Sequence, residues 1–170
     1  DGDAKIGNAD SKAKIIIFSD FECPYCKSFW DSLRKTIEAQ KDKAFFVYKH
    51  LPLRSIHSQA DNAALASVCA MEQEKFWEYG DKLYASQAEW SKQKSTQKFK
   101  DYARALKLDT EKFNKCLDEK KYQEQIEASK DEAMGLGISG TPAIFVNDQF
   151  SSGVISADDL KALIEEQLAK

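Results

Sequence analysis

The spacing of apolar positions sets out an order of elements. Ala13-Lys-Ile-Ile-Ile-Phe18 is a short β-branched run that predicts a strand buried on both faces. From Pro24 to about Gln40, Phe29, Trp30, Leu33 and Ile37 fall on one helical stripe. Ala44-Phe-Phe-Val-Tyr48 predicts a second strand, so residues 13–48 read as a βαβ unit with a parallel pair. Between Ser55 and Gly137 no strand pattern appears. Helical stripes follow one another instead: Leu65/Val68/Cys69, Phe76/Tyr79/Leu83, Phe99/Tyr102/Leu106 and Phe113/Cys116/Leu117, the last with Asp109 as its N-cap. Ser91–Lys98 reads as a solvated loop running into a helix start, and a further helix from about Tyr122 to Met134 stops at Gly135 or Gly137. Strand character returns at Ala143–Val146, with Asn147-Asp148-Gln149 as a turn and Phe150–Ile155 as a hairpin partner. Ser156 with Asp159 predicts a near capping box for a last helix striped by Leu160, Leu163, Ile164 and Leu168. The order is βαβ, a block of helices, then ββα, without repeats or low-complexity segments.

Composition narrows the function classes. A chain of 170 residues suits one domain, or one fold carrying an insertion, and 42% apolar residues are enough to build a core. With 25 basic and 28 acidic residues spread along it, the formal charge of −3 offers no field for nucleic acid or anionic lipid. The longest apolar run, Ile15–Phe18, is far too short to span a membrane. The chain starts at Asp1 with a polar segment and shows no signal peptide, which fits either a cytosolic protein or a trimmed, mature form. Four cysteines, an even number, keep an exported protein open.

Two of those cysteines lie in Cys23-Pro-Tyr-Cys26. Zinc would require two more ligands, and the nearest candidates, His50 and His57, match no common finger spacing. A structural bridge closing so small a loop gives little chain-entropy stabilisation. Redox chemistry accounts better for the placement. Pro24 fits the first helical position, which leaves Cys23 at the positive end of the helix macrodipole, where a thiolate is stabilised. Cys26 instead extends the apolar stripe of Phe29, Trp30, Leu33 and Ile37. One sulfur should therefore be exposed and activated and the other sheltered behind it, an attacking thiol and a resolving one.

Gly135-Leu-Gly-Ile-Ser-Gly140 fits the G-x-G-x-x-G spacing of dinucleotide sites, but these glycines follow a helix and precede a strand, the reverse of the order such sites need. A helix cap and a turn account for them. The next residues, Gly140-Thr-Pro-Ala-Ile-Phe-Val-Asn147, matter more. Together with Phe18-Ser-Asp-Phe-Glu-Cys-Pro-Tyr-Cys-Lys-Ser-Phe29 they resemble the DsbA-like branch of the thioredoxin superfamily, and His50-Leu-Pro-Leu53, His57 and Glu74-Lys-Phe-Trp-Glu78 are similar to it as well. The resemblance runs from about Gly7 to Leu168. It implies an α/β thioredoxin fold, made of residues 1–54 and 138–170, interrupted by an all-helical insertion at 55–137. It also implies a cis bond before Pro142, and a loop lying against the cysteine pair that offers the Thr141 backbone to an extended substrate segment.

Two features depart from the family. Many relatives carry an acidic residue six positions before the first cysteine, where this chain has Ile17; Asp20 and Glu22 are nearer but lie in the loop, and Lys49 reads more simply as a solvated lysine. The Pro24-Tyr25 dipeptide also lacks the histidine of strongly oxidising members. Cys69 and Cys116 read either as two buried thiols behaving as small hydrophobes or, as in some relatives that carry a second pair, as a disulfide joining two helices of the insertion. His50 and His57 read as a loop residue and a helix-start residue, and Trp30, Trp77 and Trp90 as core or groove wall.

The resemblance implies an exported bacterial thiol–disulfide oxidoreductase, a dithiol oxidase that introduces disulfides into proteins. Cys23 would form the mixed disulfide, Cys26 would resolve it, and Thr141 with Pro142 would dock the substrate. No metal, nucleotide or organic cofactor is expected, because the redox-active disulfide carries the electrons. The implied partners are unfolded or reduced proteins and a membrane oxidase that recycles the pair. A monomer in the bacterial periplasm or cell envelope is expected, with any signal or anchor outside this chain. A reductase or isomerase of the same fold is the alternative within the chemistry. A non-catalytic peptide-binding chaperone module is the alternative outside it, and the intact cysteine pair argues against that reading.

Overall fold

The computed structural model describes residues 2–170. Its elements are β1 (Ala4–Gly7), β2 (Ala13–Ser19), α1 (Pro24–Gln40), β3 (Ala44–His50), α2 (Ala60–Met71), α3 (Phe76–Ala85), α4 (Gln87–Trp90), α5 (Gln97–Ala105), α6 (Thr110–Asp118), α7 (Gln123–Gly135), β4 (Ala143–Val146), β5 (Gln149–Ser152) and α8 (Ala157–Leu168). The strands form one five-stranded sheet in the order β1-β3-β2-β4-β5, with β2 and β3 parallel and the other neighbours antiparallel. This is the α/β thioredoxin fold, with six helices, α2 to α7, placed between β3 and β4.

Side chains alternate across β2, as strand geometry requires. Ile15 and Ile17 point into the main core, while Phe18 joins a smaller cluster with Leu51, Ala133, Ile138 and Ala143, against which Ile16 also packs. The main core is continuous from the sheet (Phe46, Tyr48) through α1 (Phe29, Leu33) into the helical block (Leu65, Tyr79, Leu83, Trp90, Phe113). α1 buries the predicted stripe of Cys26, Phe29, Trp30, Leu33 and Ile37. α3 approaches it so closely that a Cβ on Gly80 would sit 2.8 Å from the Trp30 indole. Of the three tryptophans, Trp30 and Trp90 are buried and Trp77 stacks on Trp30. Both N-caps read from the sequence are present: Asp109 accepts from the Lys112 N–H, and Ser156 from the Asp159 N–H.

Several expectations are corrected. The sheet begins before residue 13: β1 pairs antiparallel with β3 through Ala4–Gly7, and Gly7 closes it at φ +107°, where a Cβ would meet the Ala44 carbonyl at 2.2 Å. The hairpin is tighter than predicted. Gln149 already belongs to β5, and the turn is Asn147-Asp148, with Asn147 in the left-handed region at φ 51°. Lys49 is not solvated: its ammonium contacts Asp3 at 2.6 Å and Glu132 at 2.7 Å, tying the start of the chain and α7 to β3. His50 is the last residue of β3 rather than a loop residue, and burial lowers its pKa to about 4. His57 precedes the helix start, since α2 begins at Ala60.

α2 and α6 are joined by a disulfide between Cys69 and Cys116, with Cα atoms 5.8 Å apart. Among the described residues no helix is long and apolar enough to cross a membrane.

Candidate active site

β2 delivers the chain to the site at Ser19, and Asp20-Phe-Glu22 turns it into α1. Asp20 is buried and organises that turn. Its Oδ1 accepts from the Glu22 N–H at 2.8 Å, while its Oδ2 accepts from the Leu53 N–H at 2.9 Å and lies 2.8 Å from His57 Nδ1. Glu22 reaches across to accept from the Gln59 N–H at 2.6 Å, just ahead of α2, and partial burial raises its carboxyl pKa. The loop is thus stitched to the helical block by two carboxylates, which is the use the structure makes of Asp20 and Glu22.

Cys23 is the N-cap of α1. Its backbone is extended (φ −70°, ψ 126°), its N–H donates to the Asp20 carbonyl at 3.1 Å, its side chain caps nothing, and Pro24 follows at the first helical position. The sulfur is therefore free for other contacts at the positive end of a 17-residue helix. The peptide bond between Thr141 and Pro142 is cis, and the Thr141 carbonyl lies 3.5 Å from Cys23 Sγ, accepting from the thiol. The sequence predicts an exposed Cys23; here it is only 3% exposed, because this loop, 118 residues away along the chain, covers it. The exposed member of the motif is Tyr25, at 66%.

Cys23 and Cys26 are free thiols in this structure, and their environments differ sharply. The Cys23 pKa falls from its ordinary value to about 5. The Cys26 thiol contributes most, against the cost of burial; the Thr141 side chain and the N–H groups of Cys26 and Tyr25 act in the same direction. The Thr141 hydroxyl is buried and has no conventional hydrogen-bond partner, which leaves it available to the sulfur. Burial drives Cys26 the other way, and the neighbouring Cys23 charge adds to the effect. One thiol is thus a stabilised anion at neutral pH and the other a protonated group behind it.

Sequence reasoning missed Gln87. From α4 its amide donates to the Phe21 carbonyl at 2.8 Å and to the Cys23 carbonyl at 3.1 Å, pinning the active-site turn from inside the helical block. A glutamine on a short helix gives no sequence signal for this. Gln87→Ala would strand the buried Phe21 carbonyl, while the Cys23 carbonyl keeps the Lys27 N–H at 3.1 Å, and we expect it to cost about 1–3 kcal/mol in denaturant unfolding. A loss below about 0.5 kcal/mol would show that water replaces the amide.

Among the described residues no group of three or more His, Cys, Asp or Glu side chains is placed to hold a metal ion. The glycines of 135–140 form the end of α7 and the following turns, and Gly137 takes φ +75°.

A thioredoxin family model matches residues 1–166, and the chain belongs to this family. Its relatives and structural neighbours include DsbA-like proteins. The probable disulfide bond formation protein D of Bacillus anthracis is 27% identical over 97% of this chain and 78% of its own length. The Na(+)/H(+) antiporter NhaA 3 of Salinispora tropica is 31% identical over 99% of this chain, which spans only 25% of that protein. Among solved structures, oxidised BdbD from Bacillus subtilis superposes with a TM-score of 0.85 at 26% identity, covering 99% of this chain and 94% of its own.

Proposed function

We propose that this chain is a dithiol oxidase that transfers a disulfide from Cys23–Cys26 to proteins with reduced cysteines. The observation that carries the reading is the unequal pair of thiols, one at the N-terminus of α1 where its neighbours favour the thiolate and the other a buried thiol. A substrate thiolate attacks Cys23 Sγ of the oxidised pair, the Cys23–Cys26 bond breaks, and Cys26 takes the electron pair. A second substrate thiolate then attacks its own sulfur in the mixed disulfide and releases Cys23 as a thiolate. Two electrons pass from the substrate to the pair, and the low pKa of Cys23 makes it a good leaving group. Thr141 and Pro142 form the rim on which an extended substrate strand docks by backbone hydrogen bonds.

A lowered Cys23 pKa favours the reduced form, which makes the disulfide a stronger oxidant. The sign follows from the direction of the shift. The stabilisation is fully present above the ordinary thiol value of about 8.5 and is lost as pH falls through the folded value. Tyr25 adds no cation. We therefore expect a reduction potential above about −270 mV, the value of thioredoxin, and below about −120 mV, that of the strongest oxidant.

We further propose that the protein works as a monomer outside the cytoplasm of a bacterium, in the periplasm or cell envelope, and that a membrane partner reoxidises it. The Cys69–Cys116 disulfide supports this setting, since stable structural disulfides are rare in the cytosol. Residues 1–54 with 138–170 would form the redox unit and 55–137 its helical insertion. The test is to mix the oxidised protein with a reduced, unfolded protein carrying several cysteines and to follow disulfide gain by mass. Stoichiometric transfer is expected. Efficient unscrambling of a misbridged substrate with poor oxidation would indicate an isomerase, and a potential near about −270 mV a reductase.

A further inference from the structure

We propose that His57 is a positioning residue of the exchange reaction: through its hydrogen bond to the buried Asp20 carboxylate it fixes the turn that presents Cys23 to an incoming sulfur. The inference rests on the exchange reading above and gives a role to a histidine outside both the cysteine motif and the proline loop.

Residues 20–23 form a β-turn, closed by the Cys23 N–H donating to the Asp20 carbonyl at 3.1 Å. The same carbonyl accepts from the Tyr84 hydroxyl at 3.3 Å, and that hydroxyl lies 3.0 Å from Ser19 Oγ at the end of β2. Asp20 closes the turn a second time with its side chain, since Oδ1 accepts from the Glu22 N–H at 2.8 Å. Its other oxygen reaches out to the loop between β3 and α2. Oδ2 accepts from the Leu53 N–H at 2.9 Å and lies 2.8 Å from His57 Nδ1. That loop is itself folded back: the His57 N–H donates to the Leu53 carbonyl at 2.9 Å, which brings the ring and the Leu53 N–H to one oxygen. The Asp20 side chain is 1% exposed, so water is no substitute for these donors.

Both carboxylate oxygens accept from backbone N–H groups, the pattern of the ionised form, and the imidazole then donates through Nδ1. Of the three donors two belong to the backbone, and His57 is the one supplied by a side chain. Its loss leaves Oδ2 with one donor instead of two, and a buried carboxylate in that state is driven toward water. Turning outward would release the Glu22 and Leu53 N–H groups and open the turn. The turn sets where Cys23 sits relative to the Thr141 carbonyl, 3.5 Å from its sulfur, and to the start of α1. The chemical step does not pass through His57. The Cys23 thiolate attacks an external disulfide, the bond from Cys23 to the nearer sulfur forms, the external S–S bond breaks, and the departing thiolate carries the electron pair away. Misplacing an attacking atom by about 1 Å can slow such a step about a hundredfold. Glu22 on the Gln59 N–H, and Gln87 on the Phe21 and Cys23 carbonyls, still tie the turn to the helical block. Losing His57 therefore loosens the site without detaching it.

The test follows consumption of the free Cys23 thiol by oxidised glutathione in the reduced protein, quenched over time and mapped by peptide mass. His57→Phe, which keeps a ring and removes the donor, is expected to slow consumption about tenfold. His57→Asn, whose amide stands at the Nδ1 position, should restore the rate to within about threefold of the unmutated protein. Asp20→Asn, which sets a donor against other donors, should also be slow, and adding His57→Phe to it should slow it little further. Denaturant unfolding establishes that each variant is folded under the assay conditions. A folded His57→Phe with an unchanged rate overturns the proposal. So does equal slowing by His57→Phe and His57→Asn, or slowing that multiplies in the double variant. Should His57→Phe not fold, His57→Gln takes its place: its amide stands at the Nε2 position and misses Asp20, so the same slowing is expected, and a normal rate overturns the proposal. In the unmutated protein 15N NMR should find hydrogen on His57 Nδ1 wherever the protein is folded, and a bare Nδ1 overturns the bond itself. If the unmutated protein consumed no Cys23, the exchange reading would fall instead.

Discussion

Cys23→Ala is expected to reduce disulfide transfer to the uncatalysed background, while Cys26→Ala should leave Cys23 reactive and trap the protein on its substrates. The asymmetry follows from the two thiol environments. With a pKa of about 5, Cys23 is almost wholly ionised at neutral pH, against roughly 3% for a free cysteine, so removing it deletes a nucleophile some thirtyfold more populated than an ordinary thiol. The gain in rate is smaller than the gain in population, because a more acidic thiolate is a weaker nucleophile; its larger consequence is on leaving-group ability. Cys26, buried and protonated, contributes only after a mixed disulfide exists. The check is a non-reducing gel with mass mapping: Cys26→Ala should accumulate adducts at Cys23. Adducts formed by Cys23→Ala at Cys26 would reverse the roles.

Removing the second disulfide should have the largest effect on stability. Cys69 and Cys116 are 47 residues apart, and freeing a loop of that length in the unfolded chain costs about 4 kcal/mol in the chain-entropy account. For a domain whose total stability is of order 5–15 kcal/mol, that is a large fraction. The double variant Cys69→Ala/Cys116→Ala should therefore shift the denaturant midpoint strongly. The alkylation behaviour of Cys23 should not change, since the bridge joins α2 to α6 and the site is held by Asp20, Glu22 and Gln87. A loss below about 1 kcal/mol would mean that the unfolded chain keeps α2 and α6 together without the bond.

What could be read from the sequence was whatever depends on local pattern. The parallel βαβ unit, the α1 stripe, the caps at Asp109 and Ser156 and the coarse order of strands and helices after residue 13 follow from short-range spacing, and the cysteine motif marks its own place on α1. What could not be read depends on partners far along the chain. β1 is four residues of weak pattern, made a strand by its pairing with β3. The cover over Cys23 comes from Thr141, and the ion pairs that hold Lys49 come from Asp3 and Glu132. Ser19, Tyr48 and Tyr84 are unremarkable one at a time, and only the packing of α3 against the sheet brings their oxygens together. Gln87 follows the same rule: its two acceptors are carbonyls, which carry no sequence identity.

The most direct test of the central claim is the pH dependence of alkylation in the reduced protein, with the modified residue identified by peptide mass. The account predicts that Cys23 alone reacts, with a midpoint near the value of about 5 that its surroundings set, and that Cys26 stays unmodified well past neutral pH. Preferential labelling of Cys26, or a Cys23 midpoint near the free-thiol value of about 8.5, would contradict it.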